Sequence, residues 1–106
     1  MSLWSVYLLR DEQNSLYTGI TTDVARRCQE HRAGGPKAAK YTRSKKDLKL
    51  VYSCAVGSRS LASRVEYRLK KLSKPDKEAL VLRSPGADCL LALLEITVEQ
   101  LGGNTV

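Results

Sequence analysis

The chain has no apolar run approaching the roughly 20 residues that a membrane-spanning helix needs. Its N-terminal residues 1–4 lack a basic stretch leading into a long apolar segment, so we expect no signal peptide. Internal repeats and low-complexity tracts are also missing. These absences argue against a membrane protein and a repeat protein, and they predict a cytoplasmic location.

Paired cysteines are missing as well. The three cysteines, Cys28, Cys54 and Cys89, are odd in number and widely spaced, and none belongs to a C-x-x-C pair. That pattern argues against a zinc ribbon and against a redox disulfide. It predicts reduced, structural thiols.

Acidic residues are scarce between residues 24 and 46, where Glu30 stands alone against eight basic residues. This segment therefore carries as much formal charge as the whole chain, +7. Concentrated positive charge favours a polyphosphate partner, most commonly nucleic acid, and the alternative is a solvated basic face that aids solubility. The basic residues are Arg26, Arg27, Arg32, Lys37, Lys40, Arg43, Lys45 and Lys46.

The length of 106 residues fits one domain with a single modest core. With 42% hydrophobic and 27% charged residues, the composition is typical of a folded globular protein rather than a disordered one.

A β-hairpin is predicted at the N-terminus. Alternation over residues 4–10 and a β-rich run over 16–21 flank the polar residues 11–15, which favour a turn. With that loop, Tyr7 lies opposite Gly19, and Tyr17 becomes the diagonal neighbour of Tyr7 on one face of the sheet. Gly19 leaves room beside the two phenols.

A helix should follow, with Thr22 or Asp23 as its N-cap and residues 34–36, Gly-Gly-Pro, as its stop. Arg27 and His31 lie one turn apart on this helix and border its apolar stripe. The sequence therefore places a permanent cation and a titratable imidazole just after the hairpin.

The rest of the chain reads as one strand and three helical segments. Residues 48–56 alternate and predict a third strand with Leu48, Leu50, Tyr52, Cys54 and Val56 on one face. A second helix opens at residues 57–58, a short helix runs from Pro75 through residue 82, and an amphipathic segment spans 87–101. Glu66 lies beside the apolar stripe of the second helix and needs a partner there. Tyr52 and Tyr67 are expected to pack, and Tyr41 is expected either to pack or to stack on a base.

The order Ser5-Val6-Tyr7, Tyr17-Thr18-Gly19, Arg27 with His31, and then Glu66 resembles the signature of the GIY-YIG nuclease superfamily. Ser5-Val6-Tyr7 stands for Gly-Ile-Tyr, and Tyr17-Thr18-Gly19 stands for Tyr-Ile-Gly. The resemblance covers about residues 4–80 and is closest to small stand-alone bacterial members.

The resemblance implies an α+β fold, in which a three-stranded antiparallel sheet is flanked by helices. We assign residues 1–82 to a nuclease domain and residues 83–106 to a C-terminal helical extension packed on it, ending in a flexible tail. The implied activity is metal-dependent endonucleolytic hydrolysis of phosphodiesters, with DNA favoured over RNA, during repair, recombination or processing. A protein partner for targeting is a further expectation, and a membrane partner is not expected.

The chemistry assigns each residue a role. Arg27 is suited to grip the phosphate through paired hydrogen bonds, and Glu66 to hold one Mg²⁺ or Mn²⁺ ion. The resemblance points to Tyr7 as the phenol that activates water, assisted by a pKa lowered by Arg27 and the metal, and to Tyr17 as a phenol that orients water or phosphate. His31 either assists proton transfer or donates to phosphate. The residues expected to contact nucleic acid are Gly19, Arg26, Lys37, Lys40, Tyr41, Arg43, Lys45 and Lys46.

One departure motivates a second hypothesis. Many active members carry an asparagine late in the domain, and residues 75–101 contain none, Asn104 being the nearest downstream. The alternative function is a nucleic-acid-binding module with weak or lost cleavage that acts with partner proteins. A purely structural interaction domain is the third alternative.

Overall fold

The computed structural model describes residues 3–34 and 47–96. Three strands form one antiparallel sheet in the order β2-β1-β3. They are β1 (Trp4–Arg10), β2 (Leu16–Thr21) and β3 (Lys49–Gly57). The helices are α1 (Val24–Ala33), α2 (Arg59–Lys71), α3 (Lys74–Arg83) and α4 (Ala87–Leu93). The predicted α+β class, with a three-stranded antiparallel sheet flanked by helices, is confirmed.

The central strand β1 is buried on both faces. Its side chains alternate between two clusters, as predicted: Val6 and Leu8 join one, and Tyr7 and Leu9 join the other. Helix α1 covers the Tyr7 face through Cys28, whereas α2, α3 and α4 supply the buried residues Val65, Leu69, Leu80 and Leu90 on the opposite face. The sheet is therefore the middle layer between α1 and the other helices.

The hairpin has the predicted register, with Tyr7 opposite Gly19 and Arg10 opposite Leu16. Asp11 closes the turn because its carboxylate accepts from the amides of Gln13 and Ser15, both at 2.9 Å. Short local contacts therefore set the register that carries Tyr7 and Tyr17.

Helix α1 begins and ends where the sequence predicts. Asp23 is its N-cap and accepts from the Arg26 amide at 3.1 Å. Gly34 ends it in the left-handed conformation, with φ of 69°, which glycine adopts without a Cβ penalty.

The single-face prediction for the third strand is wrong. Leu8 pairs with Tyr52 but Leu9 pairs with Leu50, so Val51 is an extra residue in β3. Such a bulge shifts the alternation by one residue. Leu48 consequently packs with Tyr7 and Leu9, while Tyr52 packs in the cluster of Val6 and Leu8.

The last helix ends within the predicted 87–101 segment, of which residues 97–101 lie outside the described residues. Helix α4 ends at Leu93, and the chain then turns with Glu95 at φ of 57°. Leu94 and Ile96 are buried against the main cluster, and the Ile96 amide donates to the Leu91 carbonyl at 2.9 Å. Burial of these two side chains overrides the amphipathic pattern.

Helix α3 is tied to the hairpin. Arg10 donates two hydrogen bonds to Glu78, at 2.6 and 2.7 Å, and a third to Asn14 at 2.7 Å. These bonds from Arg10 hold the pKa of Glu78 down at about 2. Lys74 also contacts Glu78 and the Asn14 carbonyl.

The three cysteines are free thiols, as predicted. A structural role fits Cys28, which is buried, whereas Cys89 is exposed. Within residues 3–34 and 47–96, no helix has the length and apolarity to cross a membrane.

Candidate active site

A buried contact between a phenol and an imidazole lies at the centre of the candidate site. Tyr7 Oη and His31 Nε2 are 2.8 Å apart, with Tyr7 1% exposed and His31 fully buried. Strand β1 supplies Tyr7 and helix α1 supplies His31, so the contact forms because α1 packs on that face of the sheet.

The Tyr7 ring occupies space that a side chain at residue 19 would fill. A Cβ at residue 19 would lie 2.6 Å from Tyr7 Cζ and still nearer its hydroxyl. The registered pair Tyr7–Gly19 therefore places the phenol directly over the glycine. The predicted room beside the phenols exists, but the ring of Tyr7 fills it.

Tyr17 completes an aromatic triangle. Its ring centroid is 6.4 Å from that of Tyr7 and 5.2 Å from that of His31. Tyr17 is partly exposed because β2 is an edge strand. Of the two phenols, Tyr17 is therefore the one that solvent reaches more readily.

Burial controls the ionisation of the triangle. It raises the pKa of Tyr7, an effect to which Tyr17 adds, and the opposing effect of the hydrogen-bonded Arg27 guanidinium is smaller. Arg27 acts in the expected direction and lowers the pKa of Tyr7, but desolvation of the phenolate is the larger effect, so the pKa of Tyr7 is raised in the protein without a metal ion. Burial, and then Arg27, lower the pKa of His31, so its imidazole is neutral at neutral pH.

Arg27 lies at the border between this buried group and solvent. Its side chain is 26% exposed, and its guanidinium donates to Glu30 at 2.8 Å. Glu30 is a site residue that the motif pattern does not indicate, although the i, i+3 spacing on one helix is a signal for such a pair. In this arrangement Glu30 orients Arg27, and a phosphate would approach the exposed side of the guanidinium.

Glu66 reaches the site from the far side of the sheet. Helix α2 covers the opposite face but contacts the edge strand β2, and Glu66 acts electrostatically on Tyr17. Its side chain is 24% exposed, and its carboxylate pairs with Lys70 at 3.3 Å. The motif pattern does not indicate Lys70 either, although the i, i+4 spacing is a signal for this pair.

The donor set fits a singly ligated hard cation. Among the described residues, no group of three or more His, Cys, Asp or Glu could hold a metal ion. A lone, partly exposed carboxylate suits Mg²⁺ or Mn²⁺, which keep several waters and take further oxygens from a phosphate. Glu66 is positioned to be that carboxylate. Without a metal ion, Lys70 is the positive charge that pairs with it.

Apart from Gly19, the residues expected to bind nucleic acid divide into two groups. Arg26 is exposed, and with Arg32 and Leu50 it lines a groove of about 610 Å³ between α1 and β3 whose lining includes neither Tyr7 nor His31. It is therefore separate from the Tyr7–His31 contact. The others, Lys37, Lys40, Tyr41, Arg43, Lys45 and Lys46, lie outside the described residues.

Of the two other described tyrosines, one packs in the core as predicted and one does not. Tyr52 is buried, and its hydroxyl donates to the Pro85 carbonyl at 2.6 Å. Tyr67 is 59% exposed on α2 and does not pack in the core.

Comparison with known proteins identifies the family of this chain. The family model for the GIY-YIG catalytic domain matches residues 3–79. A UPF0213 protein from Citrobacter koseri is 53% identical over 95 residues, covering 90% of this chain and 93% of the relative. One from Yersinia enterocolitica is 51% identical over 98 residues, covering 92% of this chain and 97% of the relative.

A solved structure shares the fold. The solution NMR structure of a UPF0213 protein from Bacillus halodurans has 41% sequence identity and a TM-score of 0.51, and the match covers 89% of this chain and 98% of that one. The family match takes in both tyrosines, Gly19, Arg27, His31 and Glu66. The chain therefore belongs to the GIY-YIG family, within the nuclease superfamily, and is similar over most of its length to small bacterial UPF0213 proteins.

Proposed function

We propose that this protein is a divalent-metal-dependent endonuclease that hydrolyses phosphodiester bonds, with DNA as the favoured substrate. The observation that carries the proposal is the 2.8 Å contact between Tyr7 Oη and His31 Nε2 beside Arg27. This contact provides two things: a route by which a proton passes from a phenol to a neutral imidazole, and a fixed positive charge beside it. Phosphodiester hydrolysis needs both, because a proton must leave water while negative charge grows on the phosphate oxygens.

The proton path follows from the ionisation of the two rings. The raised pKa of Tyr7 makes a free phenolate scarce at neutral pH, so a stepwise mechanism through that anion is disfavoured. With its proton on Nδ1, neutral His31 accepts the phenolic proton on Nε2 while Tyr7 Oη takes a proton from the attacking water. The water oxygen bonds to phosphorus, the bond to the leaving sugar oxygen breaks, and that oxygen takes a proton from solvent.

The remaining residues bind and orient the phosphate. Arg27, held by Glu30, offers its guanidinium to the non-bridging oxygens, where paired N–H donors match phosphate geometry. Tyr17 is placed to orient water or phosphate at the exposed edge of the triangle. Glu66 would hold Mg²⁺ or Mn²⁺, which supplies positive charge against the phosphate.

The burial of Tyr7 and His31 favours a second candidate function. With exposures of 1% and 0%, these side chains are covered, whereas Tyr17, Arg27 and Glu66 meet solvent. A protein that uses only the exposed members binds nucleic acid without efficient cleavage. Together with the missing asparagine, this supports a binding module that acts with a protein partner.

A cleavage assay separates the two candidates. Plasmid, single-stranded and branched DNA, with matching RNA, are incubated with the protein in Mg²⁺ or Mn²⁺. We expect nicking by the wild type, and a loss of about 100-fold or more in Tyr7→Phe and in Glu66→Ala, since general-base catalysis alone contributes about 10²–10⁴-fold. Tyr52→Phe is the matched control, because it removes another buried phenolic hydrogen bond outside the site.

Three outcomes count against parts of the proposal. Cleavage that persists in Glu66→Ala refutes the metal-dependent endonuclease. Full activity in Tyr7→Phe with loss in Tyr17→Phe transfers the water-activating role to the exposed phenol. Binding without cleavage on every substrate, by protein with a wild-type melting curve, establishes the binding module instead.

A further inference from the structure

The exposed face of α2 carries an unusual aromatic side chain. Among residues 3–34 and 47–96, Tyr67 is the aromatic residue with the most exposed side chain, at 59%. It lies on the solvent side of a helix whose opposite stripe, Ala62, Val65 and Leu69, is buried. The core therefore does not account for this ring.

The surroundings of Tyr67 are cationic. The helix places residues three and four positions away next to it, and these are Ser63, Arg64, Lys70 and Lys71. The Lys71 ammonium lies 4.7 Å from the centre of the tyrosine ring. Three of the four neighbouring positions are thus basic and the fourth is a serine, and Tyr67 is 59% exposed among them.

This surface is continuous with the candidate active site. Tyr67 directly follows Glu66, and about 100° of rotation around the helix separates their side chains. Lys70 belongs to both surfaces, because it pairs with Glu66 at 3.3 Å and acts electrostatically on Tyr17. A nucleic-acid strand with a phosphate at Glu66 therefore meets Lys70, which the Tyr67 surface shares with the site.

We propose that Tyr67 is a stacking platform for an unpaired nucleobase, with Lys70 and Lys71 contacting the adjacent phosphates. The inference rests on the proposed function and narrows its substrate to DNA with a single-stranded segment beside the scissile phosphate. In a duplex the base faces are covered by neighbouring bases, so a ring on a convex helix surface reaches only an unpaired base. Stacking of this kind tolerates sequence, because every base has a π-face.

Binding without divalent metal tests this inference independently of cleavage. The probe is a DNA duplex with a single-stranded arm that carries 2-aminopurine, held in EDTA, and a fully paired duplex is the comparison. We expect Tyr67→Ala to weaken binding of the arm about 5-fold or more, and to abolish the fluorescence change that stacking produces. Tyr67→Phe keeps the ring and should retain both signals.

A matched control shows whether the loss is specific to the tyrosine ring. Leu82→Ala deletes another exposed apolar side chain, 88% exposed on α3, and should bind the arm like the wild type. The proposal is overturned if Tyr67→Ala binds the arm as tightly as the wild type. It is also overturned if the variant loses affinity for duplex and arm equally, because the ring would then serve phosphate contact or folding. If the protein does not cleave DNA in Mg²⁺ but the 2-aminopurine signal still depends on Tyr67, the endonuclease proposal is refuted and the stacking proposal is supported.

Discussion

At the scale of single residues, the candidate site depends on the absence of a Cβ atom at Gly19. Tyr7 lies on Gly19, and this contact brings the phenol to 2.8 Å from His31 while Arg27 stays beside it. The sequence pattern predicts a nucleic-acid contact for Gly19. In the structure Gly19 is buried under Tyr7, and the role that its position supports is to seat the phenol.

We expect Gly19→Ala to displace the Tyr7 ring. The added Cβ would lie 2.6 Å from Cζ, and the buried ring has to shift or the strands have to separate. Overpacking of this kind costs about 1–3 kcal/mol of unfolding free energy, and cleavage should fall with the loss of the His31 contact. Urea unfolding and the plasmid assay measure the two effects.

Gly86→Ala is the control for this change. A Cβ at residue 86 meets no atom within 4 Å. Because Gly86 is the N-cap of α4, where alanine is less favourable than glycine, the stability of Gly86→Ala should fall only slightly, and its cleavage should match that of the wild type. Wild-type stability and activity in Gly19→Ala would show that the phenol does not require this seat.

At the scale of elements, the two edges of the sheet differ in how well local sequence predicts them. The hairpin of β1 and β2 forms with the predicted bounds and register, because a five-residue polar turn fixes the pairing. Strand β3 pairs with β1 across a long sequence separation, and its bulge at Val51 has no local signal. That bulge is what allows Leu48 to close the core beneath Tyr7.

Within β2, Thr18 stands where the family pattern has isoleucine. It is 3% exposed, and its hydroxyl has no hydrogen-bond partner among the described residues. A buried hydroxyl without a partner costs about 1–3 kcal/mol. We therefore expect Thr18→Val, which keeps the side-chain shape, to raise the melting temperature by several degrees, as measured by circular dichroism.

Thr21→Val also removes a buried threonine hydroxyl, but one that has a hydrogen-bond partner, so the expected change in melting temperature has the opposite sign. The Thr21 hydroxyl accepts from the Asp23 amide at 3.1 Å, so its removal should lower the melting temperature. A lower melting temperature for Thr18→Val would mean that its hydroxyl has a partner, such as an internal water.

At the scale of the whole molecule, charge is distributed around the candidate site on both sides of the sheet. Helix α1 contributes Arg26, Arg27 and Arg32, and α2 contributes five basic residues against Glu66 alone. Counting charge by sequence segment assigns the positive charge to residues 24–46. The fold adds a second basic surface on α2, so cations lie on both sides of the Tyr7–Tyr17 hairpin.

Nucleic-acid affinity should therefore fall steeply with salt, because binding releases counterions from the phosphates. Lys45→Gln with Lys46→Gln should weaken binding similarly for all sequences and reduce the slope of log K against log salt by about 1–2. Fluorescence anisotropy across a salt series measures both. Arg83→Gln, at the end of α3, is the control for loss of a basic side chain and should leave the slope within error of the wild type. Binding that does not respond to salt would contradict phosphate contact as the main source of affinity.

The sequence by itself determined the local parts of this protein. The bounds of β1 and β2, their register and the Gly34 stop match the prediction, because each depends on residues that are close along the chain. Asp23 is the N-cap of the two that the sequence allows, Thr22 and Asp23. The α+β class and family membership follow from the order of the same motifs.

Only the tertiary structure decided how those motifs meet. Packing of α1 on β1 buries His31 against Tyr7 and outweighs the effect of Arg27 on the pKa of that phenol. Burial of Leu94 and Ile96 ends α4 at Leu93, and the orientation of α2 exposes Tyr67 beside Glu66. Desolvation and packing depend on atoms distant in sequence, so the spacing of motifs predicts which residues assemble but not which of them solvent reaches.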